Sequence, residues 1–189
     1  GTTGYLTSNT NTNALVDGLD PDTCYDIYVR DECGPADFSF WIGPRTITTQ
    51  IAPPVCGGTF TDPGGSTNNY ANNTNYTVTI CPTIPGELVT VTFSLFDTET
   101  NWDGLYVYDG NTAGVNQISS TNGPGNGPLT QPGSYWGTAI PGPFTSSTAD
   151  GCLTFTFLSD GSVNDTGWIA DVTCGPPPSC RKPNALTSA

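Results

Sequence analysis

Val89-Thr90-Val91-Thr92-Phe93-Ser94-Leu95-Phe96-Asp97-Thr98-Glu99-Thr100-Asn101-Trp102-Asp103-Gly104-Leu105-Tyr106-Val107-Tyr108 is the stretch that decides the fold. Its first part alternates: Val89, Val91, Phe93 and Leu95 form one apolar face, opposite Thr90, Thr92 and Ser94. A two-residue period with β-branched and aromatic residues predicts a strand. Leu105 to Tyr108 predicts a second strand, ending in the turn-forming pair Asp109-Gly110. Between the two strands, Asp97, Glu99 and Asp103 crowd one loop. From Gln50 to Ser179 there is no Lys, Arg or His; the basic residues are Arg30, Arg45, Arg181 and Lys182. An acidic cluster without basic partners is solvated, protonated or bound to a metal.

Working outward, the same alternation recurs. Tyr76 to Cys81 reads as a strand, as does the short run from Gln117 to Ser120. Cys152 to Leu158 carries Leu153, Phe155 and Phe157 on one face. Gly167 to Cys174 carries Trp168, Ala170 and Val172 on one face. Asp62 to Thr74 and Thr121 to Gly133 are rich in Gly, Asn, Ser and Pro and read as loops. Tyr135, Trp136 and Phe144 are candidate core aromatics. No segment sustains a 3.6-residue apolar period. Short strands separated by turn residues predict an all-β, antiparallel sandwich.

Composition narrows the function. The net charge is −13 and only 11% of residues are charged. Nucleic acid and anionic membranes need basic patches and are excluded as default partners. No apolar run approaches the roughly 20 residues of a membrane span, so no direct membrane insertion is expected. The absence of His removes Ser-His-Asp and Cys-His chemistry. Nothing marks a raised-pKa acid for a glycosidase pair among the carboxylates, and the segment is expected to be non-enzymatic. Tyr106, Tyr108, Tyr135 and Trp136 read first as packing residues rather than a sugar-stacking surface; Trp102, in the acidic loop, is the exception. The seven cysteines (Cys24, Cys33, Cys56, Cys81, Cys152, Cys174 and Cys180) include no Cys-x-x-Cys pair. Widely spaced disulfides in an oxidising, extracellular or cell-surface compartment fit better than a metal cluster.

The flanks have their own patterns. Leu19-x-Pro21-x-Thr23-x-Tyr25, followed by alternating Ile27 and Val29, resembles the turn into the F strand of fibronectin type III modules. That resemblance implies a tyrosine corner at Tyr25, an F–G loop over 34–43 and a G strand over 45–49. Residues 1–49 would be the second half of such a module, and 50–55 a stiff linker. Residues 175–179 form a second, Pro-rich linker. In 180–189, Cys180-x-x-Pro183-x-x-Leu186 resembles the first strand of another fibronectin-like module of Bacteroidota surface proteins.

The middle, residues 56–174, resembles CUB domains. The landmarks are Cys56-Gly57-Gly58, Cys81 on a strand, Asp103-x-Leu105-x-Val107-Tyr108-Asp109-Gly110, Phe157-Leu158-Ser159-Asp160 and Gly167-Trp168. The resemblance implies a jelly-roll-like sandwich with one Ca2+ at one end. Carried over, the ligands are Asp103 and Asp160, with either Asp97 or Glu99 as the third carboxylate. Backbone carbonyls over Gly161 to Val163 would help complete a shell of about six to eight oxygens. The usual second CUB disulfide is missing. With Cys152 and Cys174 at the ends of what should be neighbouring strands, the expected pairs are Cys56–Cys81 and Cys152–Cys174. The whole arrangement resembles the repeat arrays of very long Bacteroidota adhesins, including the gliding-motility adhesin exported by type 9 secretion. It implies a calcium-stiffened stalk and adhesion repeat whose partners are neighbouring modules of the same chain and a surface polysaccharide or protein ligand. The alternative is a calcium-dependent protein- or glycan-binding module accessory to a secreted hydrolase.

Overall fold

The computed structural model describes residues 16, 19, 23–35, 37–49 and 53–178, and the chain forms two units, Gly1–Ala52 and Pro53–Ala189. The expected following module over 180–189 lies outside the described residues. So do the residues just upstream of Thr23, to which the Tyr25 hydroxyl would tie back.

In the first unit, β1 (Cys24–Val29) pairs antiparallel with β4 (Ile42–Thr48), with Tyr25 opposite Ile47 and Ile27 opposite Arg45. β1 is the strand that the alternation of Tyr25, Ile27 and Val29 predicts; β4 overlaps the strand expected over 45–49 but begins at Ile42, inside the span expected as loop. The connection holds a small hairpin of β2 (Glu32–Gly34) and β3 (Asp37–Phe38), where the sequence suggested plain loop. Arg30 explains part of its order: the guanidinium lies 3.9 Å from the Phe38 ring centroid and 4.6 Å from that of Trp41.

The second unit is a sandwich of two four-stranded antiparallel sheets. It uses β5 (Thr59–Thr61), β6 (Asn75–Ile80), β7 (Leu88–Asp97), β8 (Gly104–Asp109), β9 (Gln117–Ile118), β10 (Phe144–Thr145), β11 (Leu153–Leu158) and β12 (Gly167–Gly175). One sheet has the order β10-β7-β12-β5 and the other β6-β11-β8-β9. Inward residues of both sheets meet in one core. Phe60, Phe93, Phe155, Phe157 and Trp168 are all buried there. Their rings meet edge-on or tilted: Phe60–Phe155 at 4.9 Å and Phe157–Trp168 at 5.1 Å bridge the two sheets, and Phe60–Trp168 at 5.4 Å lies within one. Each such pair adds about 0.5–1.5 kcal/mol beyond the area it buries.

Two expectations are corrected by the sheet register. The first concerns Leu95. Ile169 faces Leu95 and Ala170 faces Phe93, so β7 carries one extra residue, Ser94, against β12. The Ser94 hydroxyl donates to the Ile169 carbonyl at 3.1 Å. This bulge shifts the side-chain phase by one, as a single inserted residue must. Leu95 turns outward, 38% exposed, and Phe96 takes the core position.

The second concerns the disulfides. All four expected cysteines are oxidised, but the pairs are Cys56–Cys174 and Cys81–Cys152. The expected Cys152–Cys174 pair assumed neighbouring strands. In fact β11 and β12 lie in opposite sheets. Leu153 faces Ile80, so the next residues outward, Cys152 and Cys81, meet beyond the strand ends. Asp171 faces Thr59, and the Gly57 N–H donates to the Val172 carbonyl at 2.8 Å, which brings Cys56 beside Cys174. Each disulfide therefore closes two neighbours within one sheet.

Candidate metal centre

The acidic loop is held as a tight turn. The Glu99 carbonyl accepts from the Trp102 and Asp103 N–H groups at 3.3 and 3.2 Å, and Asn101 adopts a left-handed φ of 72°. The Asn101 carbonyl is clamped in turn by the Asn126 and Gly127 N–H groups and the Thr130 hydroxyl, at 2.9, 3.0 and 2.8 Å. Gly125 permits this close approach, since a Cβ there would lie 2.3 Å from the Asn101 oxygen. The Gly/Pro/Asn loop thus braces the acidic one.

Asp103 begins the approach to β8 and is completely buried. Its Oδ2 accepts from the Tyr70 hydroxyl at 2.7 Å, and its Oδ1 from the Asp160 N–H at 2.8 Å. Tyr70 also accepts from the Glu99 N–H at 3.0 Å, while its ring packs on Phe157 at 4.8 Å. One side chain so ties the core to two acidic residues. Asp160 follows β11; its carbonyl accepts from the Asn73 N–H at 2.6 Å and its Oδ1 from the Ser162 N–H at 2.9 Å.

Glu99, Asp103 and Asp160 each place a carboxylate oxygen within 4.8 Å of the others. Oxygens bound to one calcium at about 2.4 Å lie at most about 4.8 Å apart, and the three meet that limit. Glu99 Oε2 is buried and has no hydrogen-bond partner among the described residues. A buried anion left without a donor is costly. Burial pushes the Glu99 carboxyl up, helped by repulsion from Asp103, Asp160 and Asp165. Burial raises Asp103 too, more than the bonds from the Asp160 N–H and Tyr70 lower it.

The other expected ligands stand as follows. Asp97 lies at the end of β7, one residue past Phe96, and the bulge turns it to the outer face. There its Oδ2 accepts from the Thr166 hydroxyl at 3.2 Å, apart from the three converging carboxylates. The Gly161 carbonyl accepts from the Asn72 side chain at 3.3 Å, and Val163 has a left-handed φ of 56°. Two contributors escaped the sequence reading. Tyr70 sits in a segment read as loop; a lone aromatic among Gly, Ser and Asn was the available signal. Asp165 adds negative potential to Glu99 and Asp103, and nothing in its local sequence marks it.

A further buried carboxyl supports the same end of the sandwich. Asp62 accepts from the Gly64 N–H at 2.7 Å and the Trp168 N–H at 3.1 Å. Burial nevertheless pushes it up to about 6 from the ordinary 3.8. A folded value above the unfolded one means the folded chain holds this proton more tightly. That stabilisation is fully present below about pH 4 and lost as pH rises through about 6. Glu99, Asp103 and Asp165 carry the same sign. Asp109 and Asp150 carry the opposite one. At Asp109 burial is outweighed by bonds from Ser147 and Ser146; at Asp150 the Thr148 hydroxyl and Cys152 N–H hold the carboxyl low. The chelated chain is therefore expected to melt higher near about pH 5 than near about pH 7.5, before the low-pKa pair protonates. A thermal melt in chelator at the two pH values checks this, and an equal or lower melting temperature at the acid value contradicts it.

No family model matches the chain. Among solved structures it is similar to the full extracellular region of zebrafish Gpr126/Adgrg6, at 20% identity over 67% of this chain and 15% of that one, TM-score 0.49. It is similar to the CUB1-EGF-CUB2 region of human MASP-1/3, at 19% identity over 67% and 43%, TM-score 0.47. It is also similar to the MASP-1 CUB2 domain bound to Ca2+, at 22% identity over 64% and 96%, TM-score 0.43. The chain spans less than half the length of the first two structures. Its own strands define the class: an all-β chain whose larger unit is a two-sheet antiparallel sandwich with an acidic end.

Proposed function

We propose that residues 56–174 form a non-enzymatic, CUB-type extracellular module whose acidic end binds one calcium ion. The observation that carries this reading is Glu99 Oε2, buried without a donor beside two further carboxylates, in a unit with no cation among its described residues. Glu99, Asp103 and Asp160 would be the side-chain ligands, with Glu99 rather than Asp97 as the third carboxylate. The Gly161 and Val163 carbonyls are the backbone candidates; a carbonyl that already accepts one hydrogen bond keeps a second lone pair. An all-oxygen, irregular set favours calcium over magnesium, which demands an octahedron at about 2.1 Å. Bound there, the ion offsets two of the cluster's three negative charges and locks the turn at Glu99 to the segment at Asp160.

Two disulfides and a lysine-free sandwich support an oxidising, extracellular setting. The Pro-rich segments, and the antiparallel pair β1–β4 as part of a fibronectin-like module, support a stalk and adhesion repeat of a long surface adhesin of the gliding, type 9 secreted kind. Its work would be mechanical: calcium and disulfides keep each bead folded while stiff linkers hold beads in line. The full reading frame is expected to hold tandem copies of this pair of modules. Isothermal titration of the metal-stripped chain tests the site itself. One calcium per chain is expected, with no comparable heat from magnesium and none from calcium in Asp160→Asn. A silent titration of the unmodified chain sinks the reading.

A further inference from the structure

A second feature lies in the loops that follow β9. Ser119, Thr121, Asn122, Trp136, Ile140 and Pro141 line an open groove of about 280 Å³. Its two arms are laced together. The Ser120 N–H donates to the Gly133 carbonyl at 3.0 Å, the Asn122 side-chain amide to the Trp136 carbonyl at 3.2 Å, and the Trp136 indole N–H to the Gly123 carbonyl at 3.3 Å. Beneath them the Tyr135 hydroxyl donates to the Ile118 carbonyl at 3.1 Å, and its ring packs on Phe144 at 5.2 Å. The groove is preformed, and Trp136 is pinned by its nitrogen with its ring half-exposed rather than absorbed into the core.

The chemistry of this lining is unlike the rest of the unit. None of its residues is charged, in a chain of net charge −13. Ser119 and Thr121 are exposed residues whose hydroxyls make no hydrogen bond within the described residues, and the Asn122 side-chain oxygen is likewise unengaged. Ile140 is 58% exposed at the other side. A ring face, an apolar lip and a row of spare hydroxyl and amide groups match a ligand with an apolar face and many hydroxyls. A cationic ligand finds no counter-charge here and stronger attraction at the acidic clusters. An anionic one is repelled by the chain as a whole.

We propose that this groove binds a neutral oligosaccharide, with Trp136 stacking on the sugar face and Ser119, Thr121 and Asn122 bonding its hydroxyls. The site holds no carboxylate, so its binding is independent of calcium and stands or falls separately from the metal centre.

Affinity electrophoresis of the full 189-residue chain tests it, in gels carrying xyloglucan, galactomannan or dextran, with anionic alginate as the contrast. Retardation is expected in at least one neutral gel and unchanged by EDTA. Trp136→Ala is expected to weaken it roughly tenfold, the loss of one aromatic stack. Ser119→Glu, at an exposed position of the lining, is expected to weaken it as much, with an unchanged circular dichroism spectrum showing that the fold is kept. No retardation in any neutral gel overturns the proposal. So does retardation that persists in both variants, or that is as strong in alginate.

Discussion

Asp103→Asn is expected to melt above the unmodified chain in EDTA and below it in calcium. The crossover follows from what Asp103 faces. In the metal-free state it is a buried carboxylate beside Glu99, and burial, with repulsion from Asp160 and Asp165, raises its pKa. Asparagine removes that charge. It keeps an oxygen for the Asp160 N–H, while the Tyr70 contact reverses: the amide donates to the phenol oxygen and the phenol proton turns away. In calcium the balance reverses. An ion that binds only the folded chain adds about 4 kcal/mol when present at a thousand times its dissociation constant. Losing that is expected to lower the melting temperature by roughly 10 °C. Differential scanning calorimetry of both chains under both conditions reads the crossing directly. Curves that shift in the same direction in EDTA and in calcium would show that Asp103 is a structural hydrogen-bond acceptor and nothing more.

Removing the Cys56–Cys174 disulfide is expected to be the most destabilising covalent change in the sandwich. The bond spans 118 residues, and in the chain-entropy treatment a loop of that length is worth about 5 kcal/mol. Cys81–Cys152 spans 71 and is worth about 4 kcal/mol. Against a typical net stability of about 5–15 kcal/mol, either loss is large. The pairs expected from the sequence would have closed far shorter loops, worth about 3.5 kcal/mol each. Urea unfolding of Cys56→Ser/Cys174→Ser and Cys81→Ser/Cys152→Ser checks the magnitudes. Thiol alkylation of Cys56→Ser checks the connectivity: the new thiol is expected at Cys174. Its appearance at Cys81 would refute the pairing.

The sandwich was legible because most of its strands present clean alternation. Leu153, Phe155 and Phe157, and Trp168, Ala170 and Val172, are buried where a two-residue period puts them. The acidic end was legible too, because charge without counter-charge needs no coordinates to notice. The choice between Asp97 and Glu99 was not. Asp97 still belongs to β7 and bonds to Thr166, whereas Glu99 heads the turn beyond the strand, where Tyr70 reaches it, and no local pattern marks where the strand gives way to the turn. Trp136 was read as core because aromatics usually are; only the fold shows its nitrogen tied to Gly123 and its ring left at a groove.

What the sequence by itself determined is therefore the local and the compositional. It carried the strand periods, the oxidising chemistry of its cysteines and the anionic end that asks for a cation. Tertiary structure alone decided the partners: which cysteines meet, which carboxylates converge, and that Tyr70 joins them to the core. The physical reason is that periodicity reports which face of a strand a residue takes. Pairing depends on which strands become neighbours across the sheets, and that is set by loop closure and packing over a hundred residues of chain.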